Sequence, residues 1–432
     1  MYGLILGSCR PTARQVPLTV TVALAMLLGG CREDADEGSR WAGTRDTAGD
    51  TVTVRTMTGS LVGEVLSVDS VPAFWRSGEL GNPGSVAYDG CRSFAVSDRD
   101  RIHLVSFATR EARSIGRAGD GPGEFRVIGA LDFWKSDTLV VWDVRHARLT
   151  WITDTGEFVR SMRVTVPPTF SQSENQTGLV FGDGVLLAWA EMIRPGGGGR
   201  SVGLFRIDSL QGVEETGELT RRLLDFAWIS AGPFLTVHQL FGPRALFGFN
   251  RSGLVAESDG VLYSIDILAP GSATILRIQQ AFKRVPVSNA IRDPDLEALT
   301  GIVAISDRLK DIHKHRVRVQ DFGSHRNSID EIFLDQNDRL WVQVVDERFQ
   351  DRDRAILGPF PELRPPHYRW DVYTKDGRRL VIVELDSRFT PSSAFHNVLY
   401  GTLELASGER TLGVAELPAA FGSRSDTCQG RP

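Results

Sequence analysis

The stretch ALDFWKSDTLVVWDVRHARLTWITDTGEFVRSMRV (130–164) decides how the rest of the chain is read. It opens with a short apolar run, turns, and continues as Leu139-Val140-Val141-Trp142, ending in Asp143. A third run carries Trp151, the Asp154-Thr155-Gly156 turn follows, and a fourth run closes the unit. β-Branched and aromatic side chains in such short runs suit a pleated, half-buried surface, so the unit reads as four strands joined by tight turns.

The same unit recurs along the chain. It returns at 331–385, with a loop inserted between its second and third strands, and more weakly at 85–116, 177–209 and 248–278; a partial copy occupies 393–417. Turn pairs with the positive φ that hairpin loops demand punctuate the runs: Asp89-Gly90, Asp183-Gly184, Ser252-Gly253, Asp259-Gly260, Asp376-Gly377 and Ser407-Gly408. A period of about 40 residues with four strands per unit is the signature of propeller blades, and closing a ring removes the sheet edges that many short strands would otherwise expose. The predicted fold is therefore all-β, a six-bladed β-propeller of four-stranded antiparallel blades over 51–420. A pair of β-sandwiches shares the strand length and turn density but needs no unit recurring in phase. Residues 51–76 are expected to supply a strand that completes the last blade. Asp293-Pro294-Asp295-Leu296 opens like a capped helix, and Leu296, Leu299, Ile302, Val303, Leu309 and Ile312 follow near-helical spacing. This predicts one short helical insertion at about 294–312, either capping a mouth of the ring or covering a blade edge.

Among its 432 residues, 49 Lys+Arg stand against 54 Asp+Glu, with 41% hydrophobic and 24% charged residues. Those fractions exclude a disordered or multi-pass membrane chain, and a net charge of −5 without a long basic block argues against nucleic acid as a partner. Arg10 and Arg14 precede an uncharged apolar run, Val16 to Leu28, which is too short to span a membrane and suits a secretory signal. Leu28-Gly29-Gly30-Cys31 resembles the bacterial lipobox, which predicts a signal peptide at 1–30 and lipid attachment at Cys31. Residues 31–50 are polar and apolar-poor, the composition of a flexible tether. Cys9 would leave with the signal, so Cys91 and Cys428 remain as a candidate disulfide; two unrelated thiols are the alternative. The expected location is the cell envelope, extracytoplasmic and lipid-anchored to a bacterial membrane.

The run SIGRAGDGPGEFRVIGALDFWKSDTLVVWD (114–143), followed by IDEIFLDQNDRLWVQVVDE (329–347) and YRWDVYTKDGRRLVIVEL (368–385), resembles the bacterial six-bladed β-propeller lipoproteins related to NHL repeats. The resemblance covers roughly 70–420, and its most specific element is Gly121-Pro122-Gly123-Glu124-Phe125. Asp338 stands where this family usually has a turn glycine, which implies a different hairpin turn there. Most such proteins have no assigned activity, so the resemblance implies a fold and little more.

The candidate chemistry is sparse. Gly116, Gly119, Gly121 and Gly123 invite a phosphate-loop reading, but Pro122 removes a donor, Glu124 adds a repelling charge and strands follow, so a structural inter-blade loop is expected. His313 and His315 are the one close histidine pair, on a basic stretch; His396 and Asn397, early in the final repeat, are candidates to face a channel, which the sequence by itself does not show. The acids Asp98, Asp100, Asp143, Asp335, Asp338, Asp346, Glu347, Asp351 and Asp353 show no ligand spacing, and many adjoin Arg as in solvated loops. Trp134, Trp142, Trp151, Trp341 and Trp370 fit packing between blades better than sugar stacking, and Arg194 to Arg200 reads as a flexible hairpin tip. No catalytic residue is predicted. No cofactor is predicted either, although related six-bladed lactonases gather Glu, Asn and Asp from several blades around a channel metal, which leaves a divalent cation open. The leading expectation is a binding or scaffolding module for an envelope protein, peptide or glycan; the alternatives are a metal-dependent hydrolase or lactonase and a structural envelope lipoprotein.

Overall fold

The computed structural model describes residues 43–48, 51–56, 65–68, 83–163 apart from 136, 243, 246–269, 274–286, 324–345, 367–418 and 421; between 164 and 242 it describes the strands alone, as backbone. Among the described residues every regular element is a strand. Three lie N-terminal: β1 (Gly43–Ala48), β2 (Thr51–Thr56) and β3 (Val65–Val68). The first meander is β4 (Pro83–Tyr88), β5 (Ser93–Asp98), β6 (Arg101–Ser106) and β7 (Ala112–Ile115). A short parallel pair, β8 (Arg117–Ala118) and β9 (Glu124–Phe125), leads to the second: β10 (Ile128–Lys135), β11 (Thr138–Asp143), β12 (Arg148–Thr153) and β13 (Phe158–Arg163). A five-stranded sheet holds β14 (Phe170–Ser171), β15 (Leu179–Gly182), β16 (Val185–Ile193), β17 (Arg200–Asp208) and β18 (Thr216–Thr220), followed by the hairpin β19 (Trp228–Ser230) and β20 (Thr236–His238). The next sheets are built on β21 (Leu246–Phe249), β22 (Val255–Ser258), β23 (Ser264–Leu268) and β24 (Thr274–Gln280), then on β25 (Ile329–Leu334), β26 (Leu340–Val344), β27 (His367–Tyr373) and β28 (Arg379–Asp386). The last comprises β29 (Phe389–Phe395), β30 (Val398–Glu404) and β31 (Arg410–Glu416).

The sheets are arranged as a β-propeller. In the described residues first strands pack on first strands through β4–β10, β10–β15, β21–β25 and β25–β29, and β29 returns to β4. An apolar layer fills each described gap between sheets. Ile102, Leu104, Leu131 and Leu139 lie between the first two, Tyr88, Phe94, Tyr400 and Leu412 between the last and the first, and Trp341, Trp370, Phe389 and Leu399 between the last two. Second strands are covered on both faces, which explains why Leu139-Val140-Val141-Trp142 and Leu340-Trp341-Val342 read as continuous apolar runs. The fourth strand β13 is exposed or half-buried throughout. Gly248 lets two inner strands meet, since a Cβ there would lie 2.8 Å from the Phe333 and Leu334 backbone.

Three expectations need correction or refinement. The N-terminal strand does not complete the last sheet in the described residues. Instead β2 pairs parallel with β24 (Val52↔Leu276) and β3 pairs parallel with β28 (Val65↔Ile382), and β1 extends the former sheet as a hairpin with β2. The reason is the apolar face of Thr51-Val52-Thr53-Val54: Val54 is 2% exposed and packs with Leu276 and Ile278. The blades are consequently not uniform antiparallel quartets, because two sheets carry parallel outer strands and the last has three described strands. Finally, Asp338 does not change its turn. It adopts φ +60° and donates its N–H to Asp335 O (3.2 Å), as Gly377 (φ +80°) does to Thr374 O (2.9 Å), and its Oδ1 accepts from Asn250 Nδ2 at 2.8 Å. Aspartate tolerates the left-handed region that a turn glycine would occupy. β1 falls within 31–50, the segment whose composition predicts a tether; the helix expected at 294–312 lies outside the described residues.

Removing two methyls at a buried site costs about 2 kcal/mol. Val54→Ala should lower unfolding stability by about that amount in urea titrations, whereas Arg55→Ala, at an exposed position of β2, should stay within about 0.5 kcal/mol.

Candidate functional site

A cavity of about 960 Å³ runs along the inner strands β4, β10, β21, β25 and β29. Its wall is mixed: Val86, Ile128, Leu246 and Ile332 alternate with Ser85, Thr390, Ser392 and Ser393. Thr390 and Ser392 are exposed although they sit on an inner strand, because they face this space.

At one end Asp132 of the cavity wall is met by Arg251, which leaves the β21–β22 turn and reaches two other sheets. Its Nη2 donates to Asp132 Oδ1 at 2.7 Å and to Tyr88 O at 3.2 Å, and its Nε donates to Asp132 Oδ2 at 3.3 Å. The adjoining Asn250 Nδ2 donates to Asp335 O at 2.9 Å, so the same turn is moored to the β25–β26 turn. Asp132 is buried, and its charge is answered by a bidentate guanidinium, the strongest geometry for such a pair. The other end is bounded by Arg99, in the β5–β6 turn, and Arg410, the first residue of β31.

The GPGEF loop packs beside that second end, since Ile128 at its exit donates its N–H to Arg99 O at 2.7 Å. Phe125 is fully buried, and Gly116 folds against it so closely that a Cβ would lie 2.7 Å from the ring. Glu124 turns back into the loop, accepting from Gly121 N at 2.9 Å and Arg117 Nε at 2.8 Å. The glycines therefore surround the loop's own carboxylate, and the space an anion would take is filled: the loop is structural. A clasp holds it to the β11–β12 turn. Asp120 accepts from Arg126 Nε (2.7 Å) and Nη2 (2.9 Å) and from His146 Nε2 (2.8 Å), while His146 Nδ1 faces Asp143 Oδ2 at 2.6 Å. Asp143, fully buried, also accepts from the N–H groups of Arg126, Arg145 and His146.

Two of the acids that stood out in the sequence, Asp143 and Asp335, are thus turn caps. Asp335 accepts from Asn337 N, Arg339 N, Arg339 Nε and Trp341 Nε1, while Arg339 itself donates to Phe421 O and His396 O, both at 2.7 Å. His396 lies in the β29–β30 turn with φ +52°, its N–H donating to Asn337 Oδ1 at 2.5 Å, and does not line the cavity. Trp151, Trp341 and Trp370 are buried between sheets, and Trp134 stacks edge-on to Trp151 beneath Arg160. Sequence reasoning passed over Arg251, Arg99 and Arg410; their signal was position, in or beside turns that open onto the channel. Cys31, Cys428, His313, His315, Asp346, Glu347, Asp351 and Asp353 lie outside the described residues. Among the described residues no three His, Cys, Asp or Glu gather as metal ligands, and the cavity's carboxylates are Asp132, already engaged by Arg251, and Glu331, a donor set that does not fit a divalent cation.

No family model and no curated protein matches the chain. Among solved structures it is similar to a member of the DUF4221 family from Bacteroides vulgatus, at 10% identity over 82% of this chain and 98% of that one, with a TM-score of 0.49. It is also similar to a calcium-binding protein, regucalcin, from Agrobacterium tumefaciens (11% identity, 82% and 97%, TM-score 0.41). A third is virginiamycin B lyase from Staphylococcus aureus, bound to quinupristin (9% identity, 81% and 99%, TM-score 0.39). At these values none of them transfers an activity or a ligand to this chain.

Two predictions follow from this geometry. Breaking a buried ion pair from one side costs about 3 kcal/mol, whereas replacing both partners by apolar groups restores much of the loss. Arg251→Met should therefore lower the urea midpoint markedly, and Arg251→Met with Asp132→Leu should recover at least half. The clasp predicts a pH response. Hydrogen bonds from Arg126 and His146 hold the Asp120 carboxyl well below the ordinary range, and the Gly121 N–H and Arg117 do the same for Glu124. Because these values are depressed on folding, the stabilisation is complete above the ordinary carboxylate pKa, about 4, and fades as pH falls below it. Amide exchange in 116–126, corrected for its intrinsic rate, should stay slow from pH 7 to about 4.5 and quicken below; Asp120→Asn should quicken it at every pH.

Proposed function

We propose that the chain is a six-bladed propeller lipoprotein of the bacterial envelope, a binding module whose channel receives part of a peptide, glycan or small-molecule ligand. The observation that carries this reading is the cavity along the inner strands, whose Asp132 is engaged by Arg251 and whose wall includes the exposed Arg99, Arg410, Thr390 and Ser392. Pockets of this size hold small ligands with a mostly apolar wall and a few placed polar groups. Six blades are supported by the meanders beginning at β4, β10, β15, β21, β25 and β29. Export and anchoring rest on Arg10, Arg14, the 16–28 run and Leu28-Gly29-Gly30-Cys31. A tether would then raise the concentration of the binding module at the membrane surface.

Cys91 is disulfide-bonded, and we assign its partner as Cys428, since Cys9 belongs to the signal and Cys31 to the lipid. Phe421 is moored through Arg339 to His396, and the neighbouring Phe395 ring lies against Gly90, so the tail leaves beside the turn that carries Cys91. Seven residues reach at most about 23 Å, ample for that distance. Non-reducing peptide mapping should recover a Cys91–Cys428 cross-link; a Cys91–Cys31 link would overturn both the pairing and the anchor.

The channel reading is tested with the neutral fluorophore N-phenyl-1-naphthylamine. It should bind at one saturable site, and Ser392→Trp or Thr390→Trp, each filling the cavity from β29, should abolish that binding while leaving the circular dichroism spectrum unchanged. Unaltered binding in both variants would sink the proposal.

A further inference from the structure

Two guanidinium groups of the cavity wall stand uncommitted among the described residues. Arg99 and Arg410 both line it, both are exposed, and among the described residues neither has a side-chain hydrogen bond or ion pair. They come from equivalent places, the turns that follow the second strands of the first and last sheets, which are neighbours through β4 and β29. Arg99 is held at φ +53° while its carbonyl accepts from Ile128 N, so the turn that presents it is fixed to the start of β10.

The charges of the wall point the same way. Of the two carboxylates among the described lining residues, Asp132 is engaged by Arg251, and the other, Glu331, stands beside two guanidinium groups, Arg99 and Arg410. A low-dielectric cleft focuses such an excess and draws in anions. Guanidinium forks match the planar geometry of carboxylate and the oxygen faces of phosphate and sulfonate, and they lose little hydration in doing so.

Resting on the channel reading above, we infer that the ligand is a small organic anion: its charged group sits between Arg99 and Arg410, and its body extends inward along Ile128, Leu246 and Ile332 toward Asp132. The volume of about 960 Å³ suits a molecule of that size rather than a folded partner.

The test compares two probes with the same aromatic frame, 1-anilinonaphthalene-8-sulfonate and the neutral N-phenyl-1-naphthylamine, on the full chain. Arg99→Gln with Arg410→Gln should lower the affinity ratio of the sulfonate over the neutral probe at least about tenfold, the loss expected from removing charge-assisted hydrogen bonds. Raising salt from 50 to 500 mM should weaken the sulfonate alone. If Ser392→Trp blocks both probes but the arginine variant leaves their ratio unchanged, the anion inference fails and the channel reading stands. If Ser392→Trp blocks neither, both fail together.

Discussion

Sheets such as the one built on β10–β13 are apolar on two faces, and that constraint organises everything else. A meander such as β10–β13 buries Leu139 and Val141 toward one neighbour and Val140 and Trp151 toward the other side, so no pair of sheets would suffice. Successive sheets must stack until the last meets the first, and the Tyr88, Phe94, Tyr400 and Leu412 layer makes that closure. Burying one such aromatic stabilises by about 2 kcal/mol, so the seam is held by packing rather than by a single bond. The inner strands β4, β10, β21, β25 and β29 then surround a cavity that their side chains leave unfilled.

That space acquires its character from turns. Hairpin turns at one end send Arg251 across to Asp132, and turns at the other end leave Arg99 and Arg410 facing the opening. A rigid ring thus separates two tasks that a single residue could not combine: an ion pair that ties distant sheets together, and uncommitted charges available to a visitor. The GPGEF loop belongs to the first task. Its glycines, its buried Phe125 and the Asp120–His146–Asp143 clasp fix the path between the first two sheets, and its own Glu124 occupies the space enclosed by the loop.

The same turn chemistry explains what the GPGEF glycines and the acids Asp143 and Asp335 do in the described structure. Asp143 and Asp335, both fully buried, close strands by accepting several N–H groups at once, which engages their carboxylate oxygens. Asp338 shows how far the turn geometry outranks residue identity: it holds the left-handed conformation of a glycine, and its carboxylate meets Asn250 of another sheet.

Period, turn pairs and continuous apolar runs determined the all-β repeat, the units at 85–116, 130–164, 248–278 and 331–385, and the packing role of the tryptophans. These are local properties, written in side-chain volume and backbone freedom within about ten residues, and they survive without knowledge of neighbours. Tertiary structure decided what depends on partners far apart in the chain. The strand at 51–56 has the same β pattern wherever it docks, and the burial of Val54 against Leu276 and Ile278 placed it on the fourth-built sheet rather than the last. Arg251 meets Asp132 across 119 residues, and Arg99 and Arg410 share a rim only because the ring closes between them. No spacing in a linear sequence encodes such meetings, since what brings them about is the closure of the ring itself.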